Sequence, residues 1–191
     1  MHIKSIPRKG NYSLQKLPAC LGVMLIVLFM LASCEKDDHR TIPGNDDDDE
    51  ILVRAPDFRL RTIEGDFMEL SELKDKVVVL FFFGHACAPC RTAAVSVESR
   101  LHKPHASRND YVVLGLEVSN ANTAAVQSFR SLTGSTYPLL LNASYTANAY
   151  ATTLDRLIII NRAGYIHHRS SQSAGCDMDI VADKVGMLLG N

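Results

Sequence analysis

Continuous apolar runs alternate along this chain with stretches of helical spacing. Val77-Val78-Val79-Leu80-Phe81-Phe82-Phe83 is seven consecutive apolar residues, too short for a buried helix and rich in β-branched and aromatic types. It predicts a central strand covered on both faces. Tyr111 to Val118 predicts a second buried strand and Leu157-Ile158-Ile159-Ile160 a third. After the first, Ala94, Val97 and Leu101 share a helical face that ends near His102 and Pro104. After the second, Ala121, Ala125, Phe129 and Leu132 do so before Gly134. Arg59 to Thr62 and Phe67 to Leu70, around Glu64-Gly65-Asp66, predict a short hairpin ahead of the spine, with Ser71 capping a brief helical turn. Tyr137 to Leu141 is a short apolar stretch, Ala143 to Ala151 a short helix, and Asn161-Arg162-Ala163-Gly164 a turn into Tyr165 to Arg169. A last helix carries Val181, Val185 and Leu188 on one face, capped by Asp177 or Asp179. Strands alternating with helices, closed by a late hairpin, define an α/β sandwich around a mixed sheet.

Composition agrees with one folded domain plus appendages: 191 residues, 47% hydrophobic and 21% charged. The formal charge of −1 provides no basic field to recruit nucleic acid. That average conceals three compartments. Residues 1–33 hold four cations (Lys4, Arg8, Lys9, Lys16) and no acid; residues 34–54 hold eight acids against three cations; residues 55–191 are balanced at 13 of each sign. The first compartment has the form of an export signal, a basic start followed by the apolar run Leu21 to Leu31, too short for the ~20 residues of a spanning helix. It ends in Leu31-Ala32-Ser33-Cys34, which resembles the bacterial lipoprotein lipobox. That resemblance makes Cys34 the lipidated first residue of the mature chain; an ordinary secretory signal with an incidental cysteine is the alternative. The second compartment, with Asn45-Asp46-Asp47-Asp48-Asp49-Glu50, repels itself and stays solvated, as a tether does. Glu35-Lys36-Asp37-Asp38 is similar to the acidic tag that sends lipoproteins of the Bacteroidetes type to the cell surface. The expected location is therefore the bacterial cell envelope, on the periplasmic or outer face.

Chemistry concentrates at Cys87-Ala88-Pro89-Cys90, between the predicted spine and the helix that follows it. A Cys-x-x-Cys placed there sets the first sulfur over the free N–H groups at the positive end of the helix, which stabilises a thiolate and lowers its pKa from ~8.5. Cys87 is then the nucleophile on a substrate disulfide, and Cys90 the resolving thiol that collapses the mixed disulfide. Zinc sites use the same spacing but need a second pair of ligands, and Cys176 has no neighbouring Cys or His. Dithiol exchange calls for neither metal nor bound cofactor.

Ala55-Pro56-Asp57-Phe58, the buried strand, Cys87 to Cys90, Asn161-Arg162-Ala163-Gly164-Tyr165-Ile166 and the final helix together resemble the TlpA-like thiol-disulfide oxidoreductases of the thioredoxin superfamily, within the redoxin and AhpC/TSA group. The resemblance spans residues 55–191. It implies a thioredoxin-like fold, protein disulfide substrates, and an electron partner that is a membrane reductase or a diffusible thiol system. Two positions depart from the family pattern. Gly84-His85-Ala86 stands where a Trp usually precedes the first cysteine, and Asp155, in Thr153-Leu154-Asp155-Arg156, falls at or near the family's cis-proline. An acid beside Cys87 would raise the thiol pKa unless Arg156 neutralises it.

Two other functions stay open: a peroxiredoxin-like peroxidase and a non-catalytic binding lipoprotein. The peroxidase frame Pro-x-x-x-Thr-x-x-Cys falls on Phe83, Cys87 and Cys90, so only its cysteine matches. Of the remaining candidates, His85 reads as a solvated loop histidine able to tune Cys87, Asp155 and Arg156 as a surface or loop ion pair, Cys176 as a packed or incidental thiol, and His167-His168 as structural.

Overall fold

The computed structural model describes residues 53–190; the expected export signal, the expected lipidation site Cys34 and nearly all of the expected acidic tether lie outside them. The elements are β1 (Arg59–Arg61), β2 (Phe67–Glu69), β3 (Val77–Phe83), α1 (Ala88–Ser96), β4 (Tyr111–Glu117), α2 (Thr123–Thr133), β5 (Leu139–Leu140), α3 (Ser144–Ala149), β6 (Arg156–Ile160), β7 (Ile166–Arg169) and α4 (Met178–Leu189). Five strands form one sheet in the order β5-β4-β3-β6-β7. β4 pairs parallel with both β3 and β5, whereas β6 runs antiparallel to β3 and to β7. β1 and β2 form the expected hairpin outside it.

Every residue of β3 is buried because both faces of the sheet are covered. Val77, Val79, Phe81 and Phe83 join Ala94 and Val97, Val126 and Phe129 of α2, and Val181 and Val185 of α4 in one core. Val78, Leu80 and Phe82 join Phe58, Ala147 and Tyr150 in a second core on the opposite face. The period-two alternation of a strand thus serves two cores from one uninterrupted apolar run.

Predicted helices form with the expected faces inward, except that α2 is turned slightly. α2 buries Val126, Phe129 and Thr133 and leaves Leu132 73% exposed. α4 buries Leu189 with Val181 and Val185. Its Asp177 makes no cap bond; the carboxylate instead accepts from the Gln172 amide at 2.9 Å. Ser71 lies inside the 3-10 turn Leu70–Glu72, and its amide donates to Asp57 Oδ1 at 3.1 Å. The stretch after α1 widens into a π turn, Val97–His102. No described helix is long and apolar enough to cross a membrane.

Gly115 marks the closest packing on β4. A Cβ there would stand 2.6 Å from Leu139 Cδ2, 3.1 Å from Tyr137 Cε2 and 3.2 Å from Phe83 Cε1, all on wholly buried side chains. Gly115→Ala is therefore expected to cost about 1–3 kcal/mol by overpacking. An unchanged urea midpoint would show that the core yields there freely.

The domain has two distinct ends. Ala55 N–H donates to Gly164 O (3.0 Å) and Ile166 N–H to Val53 O (2.8 Å), so the described chain begins against the β6–β7 turn. Val78 of β3 pairs with Ile160 of β6 at that same end. Cys87 and Cys90 follow the other end of β3.

Candidate redox site

The sheet delivers the cysteine pair through a short turn. β3 ends at Phe83, and Cys87 N–H donates to Gly84 O at 3.0 Å, closing the loop that carries His85 and Ala86. Cys87 caps α1: its Sγ accepts from the Cys90 amide at 3.2 Å, and its carbonyl accepts from Arg91 N–H at 3.2 Å. Pro89 is exposed in the first turn of α1, where its missing N–H would have had no helical partner. The two sulfurs are bridged, with Cα atoms 5.2 Å apart. Cys87 is half-buried and Cys90 has no exposure. One sulfur can be approached and the other cannot, the asymmetry that a nucleophile and a resolving thiol require.

Three segments crowd Gly84. A Cβ at that position would lie 3.6 Å from Leu154 Cδ2, 3.7 Å from Cys87 Cβ and 3.7 Å from Ser119 Oγ. Leu154 is 38% exposed beside the pair, and the sequence reading had not assigned it to the site.

His85 lies in the loop with its side chain 35% exposed, and it has polar partners there. Its Nδ1 stands 3.2 Å from Ser119 Oγ and 3.5 Å from Glu117 Oε1, and its amide donates to Oε1 at 3.4 Å. Glu117, the last residue of β4 and the cross-strand neighbour of Phe83, is wholly buried. Its Oε1 also accepts from the Ser119 amide (3.2 Å) and hydroxyl, and its Oε2 from the Ala121 amide (2.9 Å). This residue escaped the sequence reading. The signal was an acid inside the otherwise apolar run Tyr111 to Val118.

Asp155 and Arg156 do not form the expected surface or loop ion pair. Asp155 is 6% exposed, with φ +58°, and its N–H donates to Phe82 O at 2.7 Å. Arg156 Nη1 donates to the Asp155 carbonyl, not its carboxylate, and Oδ1 is buried without a hydrogen-bond partner. Burial holds this carboxyl above its ordinary pKa, with the Arg156 charge among the opposing effects. The described residues contain no cis peptide bond.

Cys176 is exposed on the loop before α4, two residues beyond Ala174, whose N–H donates to Asp155 O at 3.0 Å. His167 and His168 lie on the edge strand β7, and burial lowers the pKa of His168. Among the described residues no three His, Cys, Asp or Glu side chains converge as a metal cage.

A mixed five-stranded sheet with a Cys-x-x-Cys bridge on the helix after its central strand defines a thioredoxin-like redox domain. The AhpC/TSA family profile matches residues 51–169, and the chain belongs to that family. It is 31% identical over 105 residues to the thioredoxin-like protein YneN of Bacillus subtilis (strain 168), covering 52% of this chain and 61% of that protein. It is 30% identical over 121 residues to the thiol-disulfide oxidoreductase ResA of Halalkalibacterium halodurans, covering 59% and 64%. The chain thus spans about three-fifths of the length of these relatives. The solved thiol-disulfide oxidoreductase of Bacteroides fragilis NCTC 9343 shares the fold, with a TM-score of 0.59 at 22% identity over 69% of this chain and 98% of that one.

Proposed function

We propose that this protein is a thiol-disulfide oxidoreductase, exported and held to the bacterial envelope by a lipid on Cys34, that exchanges disulfides with protein or small-thiol substrates. The observation that carries the reading is the bridge itself: a half-buried Cys87 sulfur taking an N–H from the first turn of α1, beside a wholly buried Cys90. A reduced Cys87 in that position is favoured as thiolate by the helix end and attacks a disulfide; Cys90 then releases the product. The relatives named for this chemistry support the reading, and the lipobox-like Leu31 to Cys34 supports the anchor. Residues 35–52 act as the spacer between lipid and domain, since Val53 and Arg54 already pair with the folded domain. Electrons come from a membrane reductase or a diffusible thiol.

The test is a redox titration of the full-length chain in detergent, equilibrated in graded thiol buffers, alkylated and weighed intact. The expected result is one two-electron transition confined to Cys87 and Cys90. A potential well below about −200 mV assigns the protein as a reductant, and a higher one as an oxidant. If the pair never bridges reversibly at any poise, exchange catalysis is wrong.

A further inference from the structure

Leu154 Cδ2 and Cys87 Cβ both stand within 3.7 Å of where a Gly84 side chain would begin. The residues flanking Leu154 line a cleft of about 400 Å³ with the adjoining ends of β6 and β7: Thr152, Thr153, Arg156, Ile158, Arg169 and Ser170. The strand register brings two arginines into it. Arg169 pairs opposite Ile158, and Arg156 lies two residues before Ile158 on the same face of β6. The arginines are thus diagonal cross-strand neighbours, their backbone roots about 7–8 Å apart. Each is fixed by one bond to the backbone. Arg156 Nη1 donates to the Asp155 carbonyl at 2.9 Å, and Arg169 Nη1 to the Tyr150 carbonyl. Each guanidinium keeps its other donors, and neither is ion-paired with a described carboxylate. Asp155 is buried and does not line the cleft. Two fixed cations with hydroxyl-bearing walls and no acid between them make a local positive field that an anion relieves.

We propose that Arg156 and Arg169 form a carboxylate subsite beside the bridge, and that the protein substrates of Cys87 carry an acidic side chain close to their disulfide; the inference deepens the exchange reading above and rests on it. A guanidinium fork matches a carboxylate with two parallel N–H···O bonds. Tying each arginine to a carbonyl in advance reduces the ordering that capture of the acid would otherwise cost. The subsite gives the domain a basis for choosing substrates that the cysteines alone do not provide. A thiolate attacks any disulfide that reaches it, whereas a cation pair on the far side of Leu154 retains those flanked by acid while exchange proceeds.

The test follows single-turnover attack of the reduced full-length protein, in neutral detergent, on two synthetic peptides. Each has one cysteine linked to 2-thiopyridine; Cys87 forms a disulfide with the peptide sulfur, and the pyridine-2-thione that leaves is read by absorbance. One peptide has Glu and the other Gln, placed two and four residues from the cysteine on both sides, about 7 and 13 Å along an extended chain. The Glu peptide is expected to react about 10-fold faster at low salt. That ratio should fall towards one at about 1 M NaCl, where the Debye length is only about 3 Å. Arg156→Gln and Arg169→Gln should each lower the ratio by about threefold, and the double variant should abolish it. Arg91→Gln, which removes the cation next to Cys90 on α1, should leave the ratio as it is. Equal rates for the two peptides, a preference that survives high salt, or one lost in Arg91→Gln instead would each overturn the proposal. Both cleft variants also give up a bond to a carbonyl, so reversible re-formation of the Cys87–Cys90 bridge checks their folding, and the ratio rather than the rate is the readout. If neither folds, the salt dependence of the wild type and the Arg91→Gln ratio decide. A wild type that attacks neither peptide overturns the exchange reading and this proposal with it.

Discussion

A Cys90→Ser protein is expected to stop half-way through its reaction, accumulating one substrate molecule per chain on Cys87, whereas Cys87→Ser loses turnover by about a thousandfold or more. The asymmetry follows from where the sulfurs sit. Cys87 is half-buried at the cap of α1 and Cys90 is sealed beneath it, so an incoming disulfide meets Cys87 and the mixed bond can be resolved only from inside. Intact mass under non-reducing conditions reads both outcomes. A trapped species should appear in Cys90→Ser, vanish on adding a small thiol, and be absent from Cys87→Ser. Multiple turnovers by Cys90→Ser at the wild-type rate would show that a second thiol resolves the intermediate, and the exposed Cys176 would be the first to replace.

Restoring the proline that the resemblance leads one to expect at Asp155 should harm the protein. Asp155 holds φ +58° and donates its N–H to Phe82 O at 2.7 Å; proline fixes φ near −65° and has no N–H. Asp155→Pro should therefore lose about 3 kcal/mol, a fall in melting temperature on the order of 10 °C for a domain of this size. Asp155→Asn should move the other way at neutral pH. The folded state holds the carboxyl proton more tightly than the unfolded chain does, because burial raises its pKa. Linkage then makes wild-type stability greatest below the ordinary carboxyl pKa of 3.8 and lowers it as pH rises through the folded value. The Asn variant escapes that loss. Its advantage, about 1 kcal/mol at pH 7, should disappear below pH 3.8. An Asn variant with no advantage at pH 7 would mean that the orphaned Oδ1 is solvated, and a fully stable Asp155→Pro would mean that the turn rebuilds at little cost.

These two predictions mark where the sequence could be read and where it could not. The apolar run from Val77 to Phe83 announced a strand covered twice, and the Cys-x-x-Cys behind it announced the redox site, because both signals are local. His85 and Glu117 are 32 residues apart, and only the parallel register that sets Phe83 opposite Glu117 brings them together. No periodicity encodes that register. Asp155 and Arg156 misled for a related reason: adjacent opposite charges suggest an ion pair, but the left-handed backbone at Asp155 goes with an arginine bonded to a carbonyl and a buried carboxylate. The Leu132 assignment failed more mildly, whereas Leu188 packs against the core beside Val181 and Val185. Helical spacing locates a face to within a residue, and the sheet beneath decides which neighbour goes in.

The pairing of residues 53–55 with the β6–β7 turn also bears on handling the protein as a reagent. The seven residues of β3, about 20 Å of strand, separate that end from the bridge. A resin, a sensor surface or a fluorescent protein joined just ahead of Val53 would leave the sulfurs facing outward and open to a second macromolecule. The same cargo joined through the loop before α4, whose Ala174 is tied to Asp155, would be fastened beside the working end instead.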